Sequence, residues 1–79
     1  MDTKQLRELI LTELSNIAPE IEEDEVPDDQ DMREALELDS MDFLNLVIAV
    51  SKKTKVNIPE VDYPKILTLN GMINYINNN

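Results

Sequence analysis

LELDSMDFLNLVIAVSKKTK, residues 36–55, is the stretch of sequence that decides the fold. Between residues 43 and 50 only Asn45 is polar, and no Gly or Pro interrupts the run. Asp39 or Ser40 can cap a helix at its start, and lysines near the far end suit the negative end of the helix dipole. The stretch therefore predicts a helix over about residues 40–54 that is covered on several sides, as in the centre of a helical bundle. A buried strand over residues 46–50 is the alternative. The predicted core residues are Phe43, Leu44, Leu46, Val47, Ile48 and Val50.

Upstream of this stretch, apolar side chains recur at steps of three and four residues, which predicts an amphipathic helix. They are Leu6, Leu9, Ile10, Leu14 and Ile17. We expect Thr3 to cap this helix and Pro19 to end it. Residues 18–36 are rich in acids and predict a long loop, which Ile21, Val26 and Leu36 should pin to the core. A short helical turn at residues 32–36 is compatible with this loop.

Downstream, Pro59 ends the next loop, and residues 60–66 fit either a short helix or an irregular turn. Thr68 is the expected cap of a last helix, whose apolar face consists of Leu69, Met72, Ile73 and Ile76. A hairpin turn at Asn70-Gly71 is the alternative. The predicted fold class is all-α: a four-helix bundle with three main helices, one short helix and a long first loop. We expect residues 1–79 to form a single domain.

The composition excludes several kinds of chemistry. The chain contains no His and no Cys, so it lacks a His-activated nucleophile, a thiolate, a disulfide and the usual zinc ligands. A domain of 79 residues does not form a deep cleft, and the lysines after residue 51 lie about three helical turns or more from Ser40. An enzyme in its own right is therefore not expected. Without an apolar run of about 18 residues or a signal peptide, we expect a cytoplasmic protein with no membrane span.

The charge is concentrated in one part of the chain. It has 17 acidic and 7 basic residues, for a net charge of −10, and residues 20–42 contain twelve of the acids and one base. Such a band repels nucleic acid and attracts basic protein surfaces. A calcium-binding loop is a poor interpretation, because residues 20–42 contain no Gly. An acidic protein-interaction module without a prosthetic group remains an alternative.

Ser40 is the candidate functional residue, because it lies where the acidic loop meets the central helix. The free N–H groups at a helix start favour a phosphate ester at this position. Taken alone, however, a serine at a helix start is most often only an N-cap.

The whole pattern adds a second argument. The segment LELDSMDFLNLVIAV resembles the attachment segment of acyl and peptidyl carrier proteins, in which an Asp-Ser-Leu-like triplet opens the second of four helices. Here the triplet is Asp39, Ser40 and Met41. The resemblance extends over the full chain, through Ile58-Pro59 and the final helix, and the chain is identified as a freestanding member of the acyl carrier protein family.

This resemblance implies a carrier and not a catalyst. A phosphopantetheinyl transferase would attach 4′-phosphopantetheine from coenzyme A to Ser40, and the thiol of this arm would hold acyl intermediates as thioesters. The implied partners are acyl-transfer and condensing enzymes of fatty-acid, polyketide or related biosynthesis that have basic docking surfaces. We expect a monomer that binds neither nucleic acid nor a metal ion. The expected partner-binding residues are Asp39, Met41, Asp42, Asn45 and Ile48.

The sequence also departs from the family pattern. Glu37 stands where the family often has Gly, and Asn45 replaces an acid of the common fatty-acid carriers. The far end of the central helix carries Lys52 and Lys53 rather than acids. These differences favour a specialised carrier that serves a dedicated pathway.

Overall fold

The computed structural model describes residues 2–78, which form helices and contain no strand. The four α-helices are α1 (Thr3–Ile17), α2 (Met32–Ala35), α3 (Ser40–Thr54) and α4 (Leu69–Asn77), and two 3₁₀ helices cover Glu23–Glu25 and Glu60–Ile66. The predicted all-α bundle is therefore confirmed, and residues 46–50 are helical rather than a strand.

Helix α1 begins one residue earlier than its expected cap implies. Asp2 and not Thr3 is the N-cap, because the Asp2 carboxylate accepts a hydrogen bond from the backbone N–H of Gln5 at 2.8 Å. The Gln5 side chain accepts one from the Asp2 N–H in return, which completes a capping box. At the other end the helix stops before Pro19, as predicted, with Ala18 as its C-cap.

The core joins side chains from all three long helices. Helix α1 packs against α3 and α4, and α4 packs against the second 3₁₀ helix. The largest fully buried side chains are Leu6, Ile10, Leu14, Met32, Leu46, Val50, Ile66, Leu69 and Met72. Burial of each such side chain stabilises the fold by about 1.5–3 kcal/mol before the loss of conformational entropy is subtracted.

The long loop between α1 and α3 is fastened to the C-terminal part of the chain. Val26 is buried as expected, whereas Ile21 and Leu36 are half-buried against the core. Met32 is a further anchor that the sequence pattern does not predict: its side chain is fully buried, and its backbone N–H donates to the Leu67 carbonyl at 2.9 Å.

Two more hydrogen bonds join this loop to the start of α4. The backbone N–H of Asn70 donates to the Asp28 carbonyl at 3.0 Å. The Asn70 side-chain amide donates to the Asp29 carboxylate at 2.7 Å. A loop of this length is therefore ordered by contacts distant in sequence rather than by its own pattern.

The sequence left two alternatives open in the C-terminal segment, at residues 60–66 and at Asn70-Gly71, and the structure decides both. Residues 60–66 form a 3₁₀ helix. The hairpin at Asn70-Gly71 is wrong, because both residues lie in α4, where Thr68 caps the helix by accepting from the Gly71 N–H at 2.9 Å. A Cβ on Gly71 would lie 2.6 Å from the Lys65 carbonyl oxygen, so glycine permits the close approach of these two segments.

Within residues 2–78, none of the helices has the length and apolar character that crossing a membrane requires.

Candidate functional site

The turn at the end of the short helix α2 sets the position of Ser40. Glu37 follows the C-cap Leu36 with a φ of 56°, in the left-handed region where glycine is favoured. The next residue, Leu38, is buried, and its backbone N–H donates to the Arg33 carbonyl at 3.0 Å. This tight reversal places Asp39 immediately after a buried anchor and starts α3 at a fixed position.

Asp39, not Ser40, caps α3. The Asp39 carboxylate accepts a hydrogen bond from the Asp42 backbone N–H at 2.8 Å. Ser40 is the first residue of the helix and is exposed. Among residues 2–78 no side chain or backbone group hydrogen-bonds the Ser40 hydroxyl. The capping function that a serine at a helix start usually has is therefore performed by its neighbour.

Ser40 opens onto a cavity of about 260 Å³ between α3 and the second 3₁₀ helix. The other lining residues are Arg33, Phe43, Leu44, Glu60, Tyr63 and Leu67. Phe43 forms its floor: the Tyr63 ring meets it edge-on, with centroids 6.3 Å apart, and the Arg33 guanidinium lies 5.8 Å from the centroid of the Phe43 ring. The cavity is somewhat smaller than the roughly 300–1,000 Å³ of most ligand pockets.

An exposed stripe runs along α3 from the serine. Met41, Asn45 and Ile48 share one face of the helix, and the side chains of Met41 and Ile48 are 63% and 43% exposed. The prediction that Ile48 belongs to the core is therefore wrong, and Leu44 is only partly buried. Phe43, Leu46, Val47 and Val50 are buried as expected.

The charge changes sign along this helix. Asp39 and Asp42 lie at its start, and Lys52 and Lys53 are exposed in its last turn. Lys53 also reaches back to α1, where it pairs with the largely buried Glu13 at 3.7 Å. No cluster of acids within residues 2–78 has the geometry of a metal site.

A larger and more open groove, of about 510 Å³, lies between the second 3₁₀ helix and α4, and Ser40 does not line it. Tyr75 donates a hydrogen bond to the Asp62 carboxylate at 2.6 Å beside this groove. This bond lowers the pKa of Asp62, with a smaller contribution from Lys65, and raises the pKa of Tyr75. The groove is polar and does not contribute to the arrangement around Ser40.

Two residues that line the Ser40 cavity were not selected from the sequence. Tyr63, on the second 3₁₀ helix, carries no local pattern that marks it. Arg33 did carry one, because it is the single base among residues 20–42. Its guanidinium donates two hydrogen bonds to the Asp31 carboxylate, at 3.0 and 3.3 Å, and this pairing lowers the pKa of Asp31.

Comparisons with known proteins point to one family. A family model described as a phosphopantetheine attachment site matches residues 4–76. An acyl carrier protein of Wolinella succinogenes is 32% identical over 74 residues, which cover 94% of this chain and 91% of that protein. Acyl carrier proteins of Campylobacter lari and Campylobacter jejuni are 36% and 34% identical over 58 residues, 73% of this chain and 75% of each relative. No solved structure matches the chain.

Proposed function

Because this chain belongs to the acyl carrier protein family, whose prosthetic group is phosphopantetheine, we propose that Ser40 is the attachment residue and that the chain carries acyl groups to partner enzymes. One observation carries the proposal: Ser40 presents an exposed hydroxyl that helix capping does not use, at the mouth of a cavity. We propose further that residues 1–79 act as one carrier domain, since all three long helices share one core.

The residues around Ser40 fit a phosphate-linked arm. The first-turn N–H groups of α3 and the positive end of its dipole favour an anion at the serine oxygen. The adjacent cavity has a floor of apolar and aromatic side chains, which suits the apolar parts of the arm or its cargo. When bound, the arm supplies the thiol that holds an acyl group as a thioester.

In the attachment step, the Ser40 oxygen forms the new bond to phosphorus. The bond from that phosphorus to the nucleotide half of coenzyme A breaks, and the hydroxyl proton leaves to the transferase. Exposure of Ser40 matters here, because the transferase must bring a phosphate of its substrate into contact with this oxygen. The chain itself contributes position and accessibility, and we propose that it performs no catalysis of its own.

Mass spectrometry tests this proposal directly. The apo-protein is incubated with coenzyme A, Mg²⁺ and a broad-specificity phosphopantetheinyl transferase, and its intact mass is recorded. We expect the mass of one arm to be added to the wild type and to Ser15→Ala, and none to be added to Ser40→Ala. A folded wild type that stays unmodified with several transferases would instead favour an acidic interaction module.

We also propose that partners dock on the exposed stripe of Met41, Asn45 and Ile48, with Asp39 and Asp42 beside the attachment point. Acids near the serine attract basic enzyme surfaces, and exposed Met and Ile side chains offer apolar contact without a prior rearrangement. Acyl-transfer and condensing enzymes with basic docking surfaces are the partners that fit. The lysines at the far end of α3 favour partners of a dedicated pathway over those whose docking site is basic throughout.

The docking stripe is tested with Ile48→Gln and the matched variant Val61→Gln, which removes an exposed apolar side chain from a different helix. If Ile48 contacts the transferase, its substitution raises the KM for the carrier at least about fivefold, the equivalent of about 1 kcal/mol of binding, with kcat little changed. We expect Val61→Gln to leave KM unchanged. Equal effects of the two substitutions would show that the stripe is not the docking surface.

A further inference from the structure

Arg33 lies beside the attachment residue although the surrounding chain is acidic. It is the only base among residues 20–42, which contain twelve acids. Its guanidinium lies 5.8 Å from the centroid of the Phe43 ring, and Phe43 follows Ser40 by three residues on the same face of α3. Arg33 and Ser40 therefore line the same cavity, and Phe43 lies between them, about one helical turn from Ser40 along α3.

Two contacts hold the guanidinium over this cavity. The Asp31 carboxylate accepts hydrogen bonds from Nη2 of Arg33 at 3.0 Å and from Nε of Arg33 at 3.3 Å. The same carboxylate caps α2 by accepting a hydrogen bond from the Arg33 backbone N–H at 2.9 Å. The Phe43 ring supports the guanidinium from below. The side chain is nevertheless 46% exposed, so it has room to turn toward an added group.

A phosphodiester on Ser40 would add a negative charge to the most acidic part of the chain. Of the basic residues within residues 2–78, only Arg33 lines the cavity that Ser40 opens onto. Arg7 pairs with Asp28, and Lys65 pairs with Asp62 beside the other groove. The planar guanidinium matches two phosphate oxygens as well as it matches a carboxylate, so the exchange requires no new kind of contact.

We infer that Arg33 is a positioning residue for the arm: it ion-pairs with the phosphodiester on Ser40 and gives up at least one of its hydrogen bonds to Asp31. This inference rests on the proposed attachment at Ser40. The ion pair holds the first part of the arm above Phe43, at the mouth of the cavity between α3 and the second 3₁₀ helix. The loaded arm is thereby biased toward the cavity instead of extending freely into solvent.

The test compares apo and holo forms of the wild type, Arg33→Gln, and the control Arg7→Gln. The control loses the same charge and another ion pair to the acidic loop. Phosphorus NMR of the holo forms should show a changed phosphodiester shift in Arg33→Gln and an unchanged one in Arg7→Gln. Arg33→Lys, which keeps the charge without the planar fork, should show an intermediate shift and serves if Arg33→Gln folds poorly.

A second readout follows the carboxylate that Arg33 leaves. In the apo wild type the Arg33 guanidinium holds the pKa of Asp31 below its usual value. Conversion to the holo form should raise the Asp31 pKa, measured by carbon NMR of the carboxyl group, and should shift the Nε–H resonance of Arg33 more than that of Arg7. If Arg33 has a purely structural role, its Nε–H resonance shifts no more than that of Arg7 when the arm is added.

The outcomes separate the two proposals. If the arm is added to Ser40 while the phosphorus shift of Arg33→Gln equals that of the wild type and the Asp31 pKa does not move, Arg33 does not hold the phosphate and the carrier function stands. If no arm is added to a folded protein, the attachment proposal fails and this inference fails with it.

Discussion

The Asp39 carboxylate accepts the Asp42 backbone N–H at 2.8 Å, so the residue before Ser40 caps α3 and leaves the serine hydroxyl exposed. The capping contribution and the attachment chemistry are thus assigned to adjacent side chains. This separation allows each residue to be removed without removing the function of the other.

We expect Asp39→Ala to lower the free energy of unfolding of the apo-protein by about 1 kcal/mol, because the first turn of α3 loses its side-chain acceptor. Ser40→Ala should change it by less than about 0.5 kcal/mol, as is usual for an exposed position without such a contact. Urea unfolding of the three apo-proteins measures both values. A Ser40→Ala loss as large as that of Asp39→Ala would mean that the serine is the cap.

Glu37→Gly should stabilise the protein by about 1 kcal/mol. Glu37 has a φ of 56°, where a side chain with a Cβ is strained and glycine is not. Glu34→Gly is the matched control, since it removes the same charge from an exposed residue of α2. We expect that control to destabilise by about 0.5–1 kcal/mol. Thermal and urea unfolding measure the stability of both variants. A loss of stability in both would contradict the strain argument.

Gly71→Ala should destabilise the protein by about 1–3 kcal/mol, although alanine is the better helix former. The added Cβ would lie 2.6 Å from the Lys65 carbonyl oxygen and 2.9 Å from the Thr68 hydroxyl oxygen. Asn74→Ala, on the exposed face of the same helix, should be neutral or slightly stabilising. A melting temperature of Gly71→Ala at or above that of the wild type would refute this close approach.

Tyr75→Phe should raise the pKa of Asp62 toward its usual value of 3.8, because the Tyr75 hydroxyl is the main cause of the lowered pKa. The folded pKa of Asp62 lies below its unfolded value, so the bond stabilises the fold above about pH 4 and this contribution is lost as pH falls through the folded pKa. The pKa of Tyr75 is raised above 10.0, so the contribution is complete below that pH and is lost as pH rises through the folded pKa.

The stability difference between wild type and Tyr75→Phe should therefore be constant between about pH 5 and 9 and should shrink outside that window. Carbon NMR titration of the Asp62 carboxyl group and urea unfolding across this range give the two measurements. An Asp62 pKa that is the same in both proteins would show that the bond does not form in solution.

The sequence predicts the elements whose determinants are local. The apolar run after Ser40, with acids before it and lysines after it, defines α3 because caps, dipole and burial all act within one segment. The cap of α1 differed from its prediction by one residue, because Asp2 and Thr3 are both good caps and only the returning hydrogen bond from Gln5 selects between them.

The parts that sequence reasoning missed depend on contacts between distant residues. Met32 looks like an isolated apolar residue in an acidic loop, yet its side chain is fully buried and its backbone N–H donates to the carbonyl of the distant Leu67. The position of Arg33 beside Ser40 depends on the positive φ of Glu37, which turns the chain between them. A glycine at position 37 would indicate such a turn in the sequence, whereas the glutamate found there does not.

The fastening of residues 28–32 to residues 67–70 also sets an order of events during synthesis. Leu67 and Asn70 supply the partners of Met32, Asp28 and Asp29, so these contacts form only after residues 67–70 have left the ribosome. We expect a transferase that requires this segment to be held in place to modify the completed fold and not the nascent chain.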